Sequence, residues 1–407
     1  MTLEDVVASE MCIGCGLCRS RLGSEVVSAS VAENGVTVPA LNRALTDAEQ
    51  EEFRSYCPGA AITAPGPLGG VPFDPIWGNI FALKVGYATD PEFRFNGTSG
   101  GVLSAICSYA LDRKLVDFIL HIAPDPDDPI GARIVHSRTR QDLLAAMGSR
   151  YVPTTPLETF RQVLESGARF GFIGKPCDVM AVRNLARIDS AVDANCAFTL
   201  SFACGGSSEL PKTLDVLAKW GIAREDLTRF TWRGPGCPGP VRAETTDGRA
   251  FEMPLEEFYE GPESNWRYVF RCKMCPDGIG LSADITGADC WEDCMPDGED
   301  PGFNTIVART AAGSDLLRAV IDADYITITE DIGPDRMSAT QPHLVRKRIA
   351  MKARMAGLED VIGTRPDLGA GLRLDELSDD PESETFRSNR EGTAERQRHV
   401  LSASGRG

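Results

Sequence analysis

Three cysteines spaced two residues apart, Cys12-Ile13-Gly14-Cys15-Gly16-Leu17-Cys18, followed at a distance by Cys57-Pro58, constrain this chain more than any other feature. In such a loop successive thiolates point inward and wrap one corner of an iron–sulfur cube, and a remote Cys-Pro closes the fourth iron. Zinc is the alternative reading, although it favours paired CxxC spacings. Glu25–Ser30 and Val36–Val38 read as strands around Asn34-Gly35, a strong hairpin signal, so a hairpin separates the triplet from its fourth ligand as in ferredoxin-like modules.

The chain carries 13 cysteines in 407 residues and a formal charge of -17. That acidity argues against nucleic acid as a partner, because phosphates are neutralised by basic surfaces. The N-terminus presents Glu4, Asp5 and Glu10 without an apolar run, and no stretch approaches a membrane span. The expectation is a cytoplasmic protein, with no membrane partner, whose thiols serve metal or redox chemistry rather than disulfides.

A second group, Cys272-Lys273-Met274-Cys275-Pro276, is a lone CxxC: half a zinc site, a redox dithiol, or two of four cluster ligands. Two further thiols follow short apolar runs that read as buried strands. Arg169–Ile173 leads to Gly174-Lys175-Pro176-Cys177, and Ala197–Phe202 leads to Ala203-Cys204. Open α/β sheets place ligands at such carboxyl ends. Cys107 and Cys196 read as core; Cys237, Cys290 and Cys294 receive no assignment.

Elsewhere the pattern alternates in α/β fashion with added α+β elements. Strands are expected at Ala82–Tyr87, Phe118–Ile122 and Asn304–Arg309, and helices near Gln141–Met147, Asp178–Arg187 and Ser208–Trp220. Asp247-Gly248 joins two antiparallel strands. Pro65-Gly66-Pro67, Gly69-Gly70 and Pro72 mark a linker, and beyond residue 376 the polar sequence reads as a mobile tail. No Gly-rich dinucleotide fingerprint opens a βαβ unit. Thr98-Ser99-Gly100-Gly101 before a helix offers hydroxyls, backbone N–H groups and a helix start for a pyrophosphate, or simply a cap through Ser99.

These residues resemble the beta-subunit family of coenzyme F420 hydrogenases and dehydrogenases, iron–sulfur flavoproteins that include 7-hydroxymethyl chlorophyll a reductase and divinyl chlorophyllide 8-vinyl reductase. The resemblance runs through the Cys12–Cys57 module, Thr98–Gly101, Gly148-Ser149-Arg150-Tyr151, Gly174–Cys177, the strand ending at Cys204, Arg271–Cys275 with Ala283-Asp284-Ile285, and Gly302-Phe303-Asn304 to Thr310. It implies that Cys177, Cys204, Cys272 and Cys275 bind one 4Fe-4S cluster beside that of Cys12, Cys15, Cys18 and Cys57. It further implies FAD against Thr98, Ser99, Gly100, Gly101, Ser149, Arg150 and Tyr151, with Lys175 and Asp284 near the flavin or its cluster. The implied organisation is a ferredoxin-like 4Fe-4S module (1–64), a linker (65–80), a domain for FAD and the second cluster (81–325), a C-terminal strand and helix extension (326–376) and a disordered tail (377–407). Thr286-Gly287-Ala288-Asp289-Cys290-Trp291 departs from the glycine- and aromatic-rich loop of the chlorophyll-reducing members, which speaks against a tetrapyrrole.

Two clusters and FAD in one chain imply conversion between one- and two-electron chemistry. The leading expectation is a reductase fed by a ferredoxin-like donor and acting on a small-molecule substrate, with Lys175 and Tyr151 as catalytic candidates; a homo-oligomer is compatible with it. Arg346, Lys347, Arg348, Lys352 and Arg354 offer a docking patch for an acidic donor. The alternative is an electron-transfer subunit of a hydrogenase or dehydrogenase complex, acting on coenzyme F420.

Overall fold

The computed structural model describes residues 1–260, 267–292 and 298–403. Its centre is an eight-stranded mixed sheet: β1 (Ala82–Ala88), β2 (Phe118–Pro124), β3 (Ala132–Ser137), β4 (Phe170–Ile173), β5 (Cys196–Phe202), β6 (Ile285–Asp289), β7 (Asn304–Ala308) and β8 (Ile326–Asp331). The spatial order is β8-β1-β7-β6-β5-β4-β2-β3. The inner run β2, β4, β5 and β6 is parallel, and the flanking pairs are antiparallel.

The parallel strands are nearly continuous apolar runs because both sheet faces are covered. Side chains alternate across the pleat: Phe118, Leu120, Phe170 and Phe172 enter one core, and Ile119, Phe198 and Leu200 the other. On the first face lie the helix Pro176–Ala186 and the N-terminal module, with Leu3, Val6, Phe53 and Tyr56 in the same core. On the second lie the helices Val102–Asp112, where Cys107 is buried as expected, and Ala311–Asp322. A separate antiparallel sheet, Leu227–Thr231, Val241–Thr245 and Ala250–Met253, builds its own core around Trp232. In the N-terminal module the hairpin pairs Val27–Val31 with Thr37–Leu41.

Within the segment expected to be a linker, 65–80, Pro65, Pro67, Leu68, Gly69, Gly70 and Pro72 are exposed, whereas Trp77, Gly78 and Asn79 are buried and Trp77 Nε1 donates to Ser338 Oγ at 2.9 Å. The segment expected to be a mobile tail forms the helix Glu384–Ala403, packed against the helix Met351–Ile362. Phe386, Thr393, Ala394 and Gln397 recur on one face and are buried there, and Gln397 donates to the Ser9 carbonyl. Gly357 permits the approach, since a Cβ there would lie 2.2 Å from the Arg390 carbonyl oxygen. Half of that face is polar, so composition concealed it. Residues 404–407 of that tail lie outside the described residues. Among the described residues no helix is long and apolar enough to cross a membrane.

Candidate cofactor sites

The fold gathers the cysteines into two sets. Cys12, Cys15, Cys18 and Cys57 line one cavity together with Gly14, Gly16, Tyr56 and Pro58. The triplet runs through a loop into the helix Leu17–Leu22, and Cys57 ends the helix Asp47–Tyr56. Burial pushes the Cys12 thiol up to about 12 and raises Cys15 and Cys18 further, each next to other thiols of the set. The Tyr56 hydroxyl is buried beside Cys18 and Cys57 without a hydrogen-bond partner among the described residues. Four crowded, desolvated thiols and an unanswered donor fit a group that brings positive charge and acceptor sulfur at once. Among the described residues no three His, Cys, Asp or Glu side chains are placed to share a single metal ion.

The second set forms where three parallel connections meet. Cys177 lies in the first turn of the helix after β4, Cys204 follows β5 with its N–H donating to Gly278 O at 2.7 Å, and Cys272 and Cys275 come from the short helix Phe270–Lys273 and the turn after it. The carboxyl-end placement read from the sequence is therefore what brings the thiols together. Burial first, and the neighbouring thiols with it, raise three of them: Cys275 and Cys204 act on Cys177, Cys272 and Cys275 on Cys204, and Cys275 on Cys272, with Cys204 pushed up to about 12. The Ser207 N–H donates to Cys272 Sγ at 3.2 Å. This donor set also fits an iron–sulfur group.

Lys175 sits between Asp178 Oδ2, at 2.8 Å, and Thr154 Oγ1, at 2.9 Å. Burial works to lower its pKa, but Asp178 and the Cys177 and Cys204 thiols hold it above the usual lysine value. Its ammonium is paired with Asp178 beside the second thiol set. Asp284 is saturated by the protein: its carboxylate accepts from Arg183 Nη2, the Thr199 N–H and hydroxyl, and the Thr310 hydroxyl. It ties β5, β6 and the helix after β7 together.

Around Thr98–Gly101 the picture is mixed. The Thr98 and Ser149 hydroxyls meet at 3.2 Å beside the start of the eleven-residue helix Val102–Asp112. The cap expected of Ser99 is instead supplied by Asn304, whose Oδ1 accepts from the Val102 N–H while its Nδ2 donates to Ser99 Oγ. Gly100 and Gly101 pack against Asn304 and the Phe93 carbonyl. The Arg150 guanidinium donates to the carbonyls of Ala146, Met147 and Gly148, and burial brings its pKa down to about 10. Arg150 therefore closes a helix end. Tyr151 stacks near Phe258, with ring centroids 5.9 Å apart.

Sequence reasoning missed the residue that organises this region. Arg233 donates to both Asp289 oxygens at 3.0 and 2.9 Å, to the Thr98 carbonyl at 2.8 Å and to the Pro238 carbonyl at 3.1 Å, and its guanidinium lies over the Trp291 ring. Gly234 at φ 94° then passes so close to Thr98 that a Cβ would meet its methyl at 2.6 Å. The only sequence signal was the position of Arg233 before the Gly234–Gly239 loop. Cys237 is buried in that loop, Cys290 is half-buried beside Thr305, and Cys294 lies outside the described residues.

The cations expected to form a docking patch at Arg346–Arg354 divide: Arg346 is exposed and Lys347 reaches the Gly205 carbonyl at 3.4 Å, while the others are engaged by the protein. Arg348 is buried, donating to the Pro75, Pro276 and Leu372 carbonyls, Arg354 donates to Lys273 O, and Lys352 pairs with Asp375. The cations are divided between two helices, Pro342–Ile349 and Met351–Ile362.

Two family models match: coenzyme F420 hydrogenase/dehydrogenase, beta subunit N-term, over residues 83–160, and the C terminus of the same subunit over residues 167–332. Together they cover more than half of the chain. The coenzyme F420 hydrogenase subunit beta of Methanococcus voltae is 23% identical over 253 residues, 61% of this chain and 84% of that protein. An uncharacterised protein of Methanocaldococcus jannaschii is 22% identical over 359 residues, 81% of this chain and 92% of its own. The beta subunit of an F420-dependent formate dehydrogenase of Methanococcus maripaludis is 25% identical over 250 residues, 59% of each. A chain of the F420-reducing NiFe hydrogenase complex from Methanosarcina barkeri superposes with a TM-score of 0.49 at 22% identity, covering 68% of this chain and 94% of that one. The chain belongs to the coenzyme F420 hydrogenase/dehydrogenase beta subunit family.

Proposed function

We propose that this protein is an electron-transfer subunit of an F420-linked oxidoreductase, holding two 4Fe-4S clusters and FAD. The observation that carries the reading is the assembly of two separate four-cysteine sets, each with one buried and three half-buried members, by distant parts of the chain. The names of its relatives, beta subunits of an F420 hydrogenase and of an F420-dependent formate dehydrogenase, support the redox class and a partner subunit. Bound clusters supply single-electron transfer and FAD a hydride acceptor or donor. The protein's own contributions are local. The two cysteine sets supply thiolate ligands, Lys175 supplies positive charge at the second set, and Arg233 holds the carbonyl of Thr98, whose hydroxyl meets that of Ser149.

A second reading, a stand-alone reductase fed by a ferredoxin-like donor and acting on a small organic molecule, is favoured by one feature. The Cys12–Cys57 module lies wholly outside the residues matched by the family models, so the chain carries an electron entry of its own. Anaerobic purification with iron, sulfide and flavin quantitation tests what both readings share: about eight irons and one FAD per chain are expected, and zinc without flavin refutes both. Co-purification with a catalytic subunit and F420 reduction by the complex alone favour the subunit reading. Turnover by the isolated chain with reduced ferredoxin favours the second.

A further inference from the structure

Between the two thiol sets lies a charge that the rest of the protein does not answer. The Arg271 side chain is almost completely buried. Its Nη2 donates to the Pro58 carbonyl at 2.9 Å, next in sequence to Cys57, and its Nη1 lies 3.4 Å from the Met274 carbonyl, between Cys272 and Cys275. Among the described residues its Nε has no hydrogen-bond partner and no carboxylate pairs with it. The other buried arginines of this region differ: Arg309 and Arg348 both lie within electrostatic reach of Asp277. A buried cation without a counter-ion costs several kcal/mol, so an anion is required nearby. Its charge reaches the sulfurs of Cys57 on one side and Cys272 on the other. Thiolate-ligated clusters, which gain negative charge on reduction, supply that anion on both sides.

We propose that Arg271 is a positioning residue shared by the two clusters: its guanidinium clamps the Cys57-Pro58 turn to the Cys272–Cys275 turn and serves as their common counter-charge. The inference rests on the two-cluster reading above. A cation equidistant in function from both centres favours the reduced form of each, and the fork of two carbonyl bonds fixes the separation across which an electron passes.

The test uses the full-length protein purified anaerobically, as wild type, Arg271→Lys and Arg271→Gln, with iron and sulfide content measured first and midpoint potentials then read by EPR-monitored titration. Arg271→Gln, which keeps polarity and loses charge, is expected to shift both potentials to more negative values. Arg271→Lys is expected to keep both near the wild-type values while changing the magnetic interaction between the reduced clusters, because a lysine reaches only one carbonyl. Unchanged potentials in a fully loaded Gln variant would overturn the proposal, as would a shift confined to one cluster. Loss of iron from both variants alike would also overturn it, reducing Arg271 to a packing role. Wild-type protein with only one cluster, or with zinc, would instead refute the underlying reading.

Discussion

Replacing Arg233 with methionine, a side chain of similar length, removes the hub of the Thr98 turn and tests whether that hub is electrostatic. The substitution leaves Asp289 without its cation and the Thr98 and Pro238 carbonyls without a donor. Breaking a buried ion pair by removing one partner costs about 3–5 kcal/mol. Asp289 keeps 22% of its side chain exposed, so water relieves part of the penalty and the lower end, about 3 kcal/mol, is expected. Asp289→Asn strands the more deeply buried guanidinium but leaves one acceptor, for about 2 kcal/mol. In the double variant no charge remains uncompensated, and two carbonyls at about 1 kcal/mol each account for about 2 kcal/mol in total. The cycle therefore predicts a coupling of about 3 kcal/mol, with the double variant no less stable than Arg233→Met alone. Urea unfolding followed by circular dichroism and tryptophan fluorescence, on proteins of matched cofactor content, measures all four corners. Additive costs would refute a direct Arg233–Asp289 pairing. The flavin content of Arg233→Met after gel filtration should fall below that of wild type if the Thr98 turn holds FAD.

Other consequences are separately checkable. Cys18→Ser and Cys177→Ser should each lower iron content by about four atoms per chain while Cys107→Ser leaves it unchanged; equal losses in all three variants would dissolve the division into two sets. Gly357→Leu should force the Glu384–Ala403 helix off its partner, so that limited proteolysis cleaves after Arg387 or Arg390 in the variant and spares the wild type; equal cleavage would mean the helix is not docked. His121, half-buried with its Nε2 2.7 Å from Ser137 Oγ, is pushed down to about 4 by loss of solvent first and then by Arg150 and His136. An unfolded histidine titrates at about 6.5. The native state therefore binds fewer protons between those values, and stability falls as pH drops through that window by up to about 1.4 kcal/mol per unit. His121→Gln should flatten the change in urea midpoint between about pH 7 and about pH 5. Glu209 runs the other way: burial, then Glu10, raise it to about 7. Its contribution is present below the unfolded value of about 4.3 and lost as pH rises through about 7, so Glu209→Gln should stabilise the protein at about pH 8. An unchanged midpoint there would show that Glu209 is not strained.

The cysteine spacing, the apolar runs and the turn dipeptides are local properties, and they were legible in the sequence. Phe170–Ile173 forms the expected strand, Val241–Thr245 and Ala250–Met253 pair around Asp247-Gly248, and Gly221 ends the helix Leu210–Trp220 in the left-handed region. A strand end also fixes where Cys177 and Cys204 can stand. The docked helix Glu384–Ala403 is hidden from composition because its buried face is half polar, and the burial of Trp77 beside an exposed Pro/Gly stretch is hidden because one aromatic counts for little in composition and much in packing. Arg150, Asp284 and Arg348 are distinguished in the sequence by charge, yet only the folded chain reveals that carbonyls and neighbouring side chains consume their hydrogen-bonding capacity. Sequence by itself determined which thiols exist and how each is presented. Tertiary structure decided which of them meet, and placed Arg271 and Arg233 at the joints, because an ion buried far from water must be answered by groups distant along the chain.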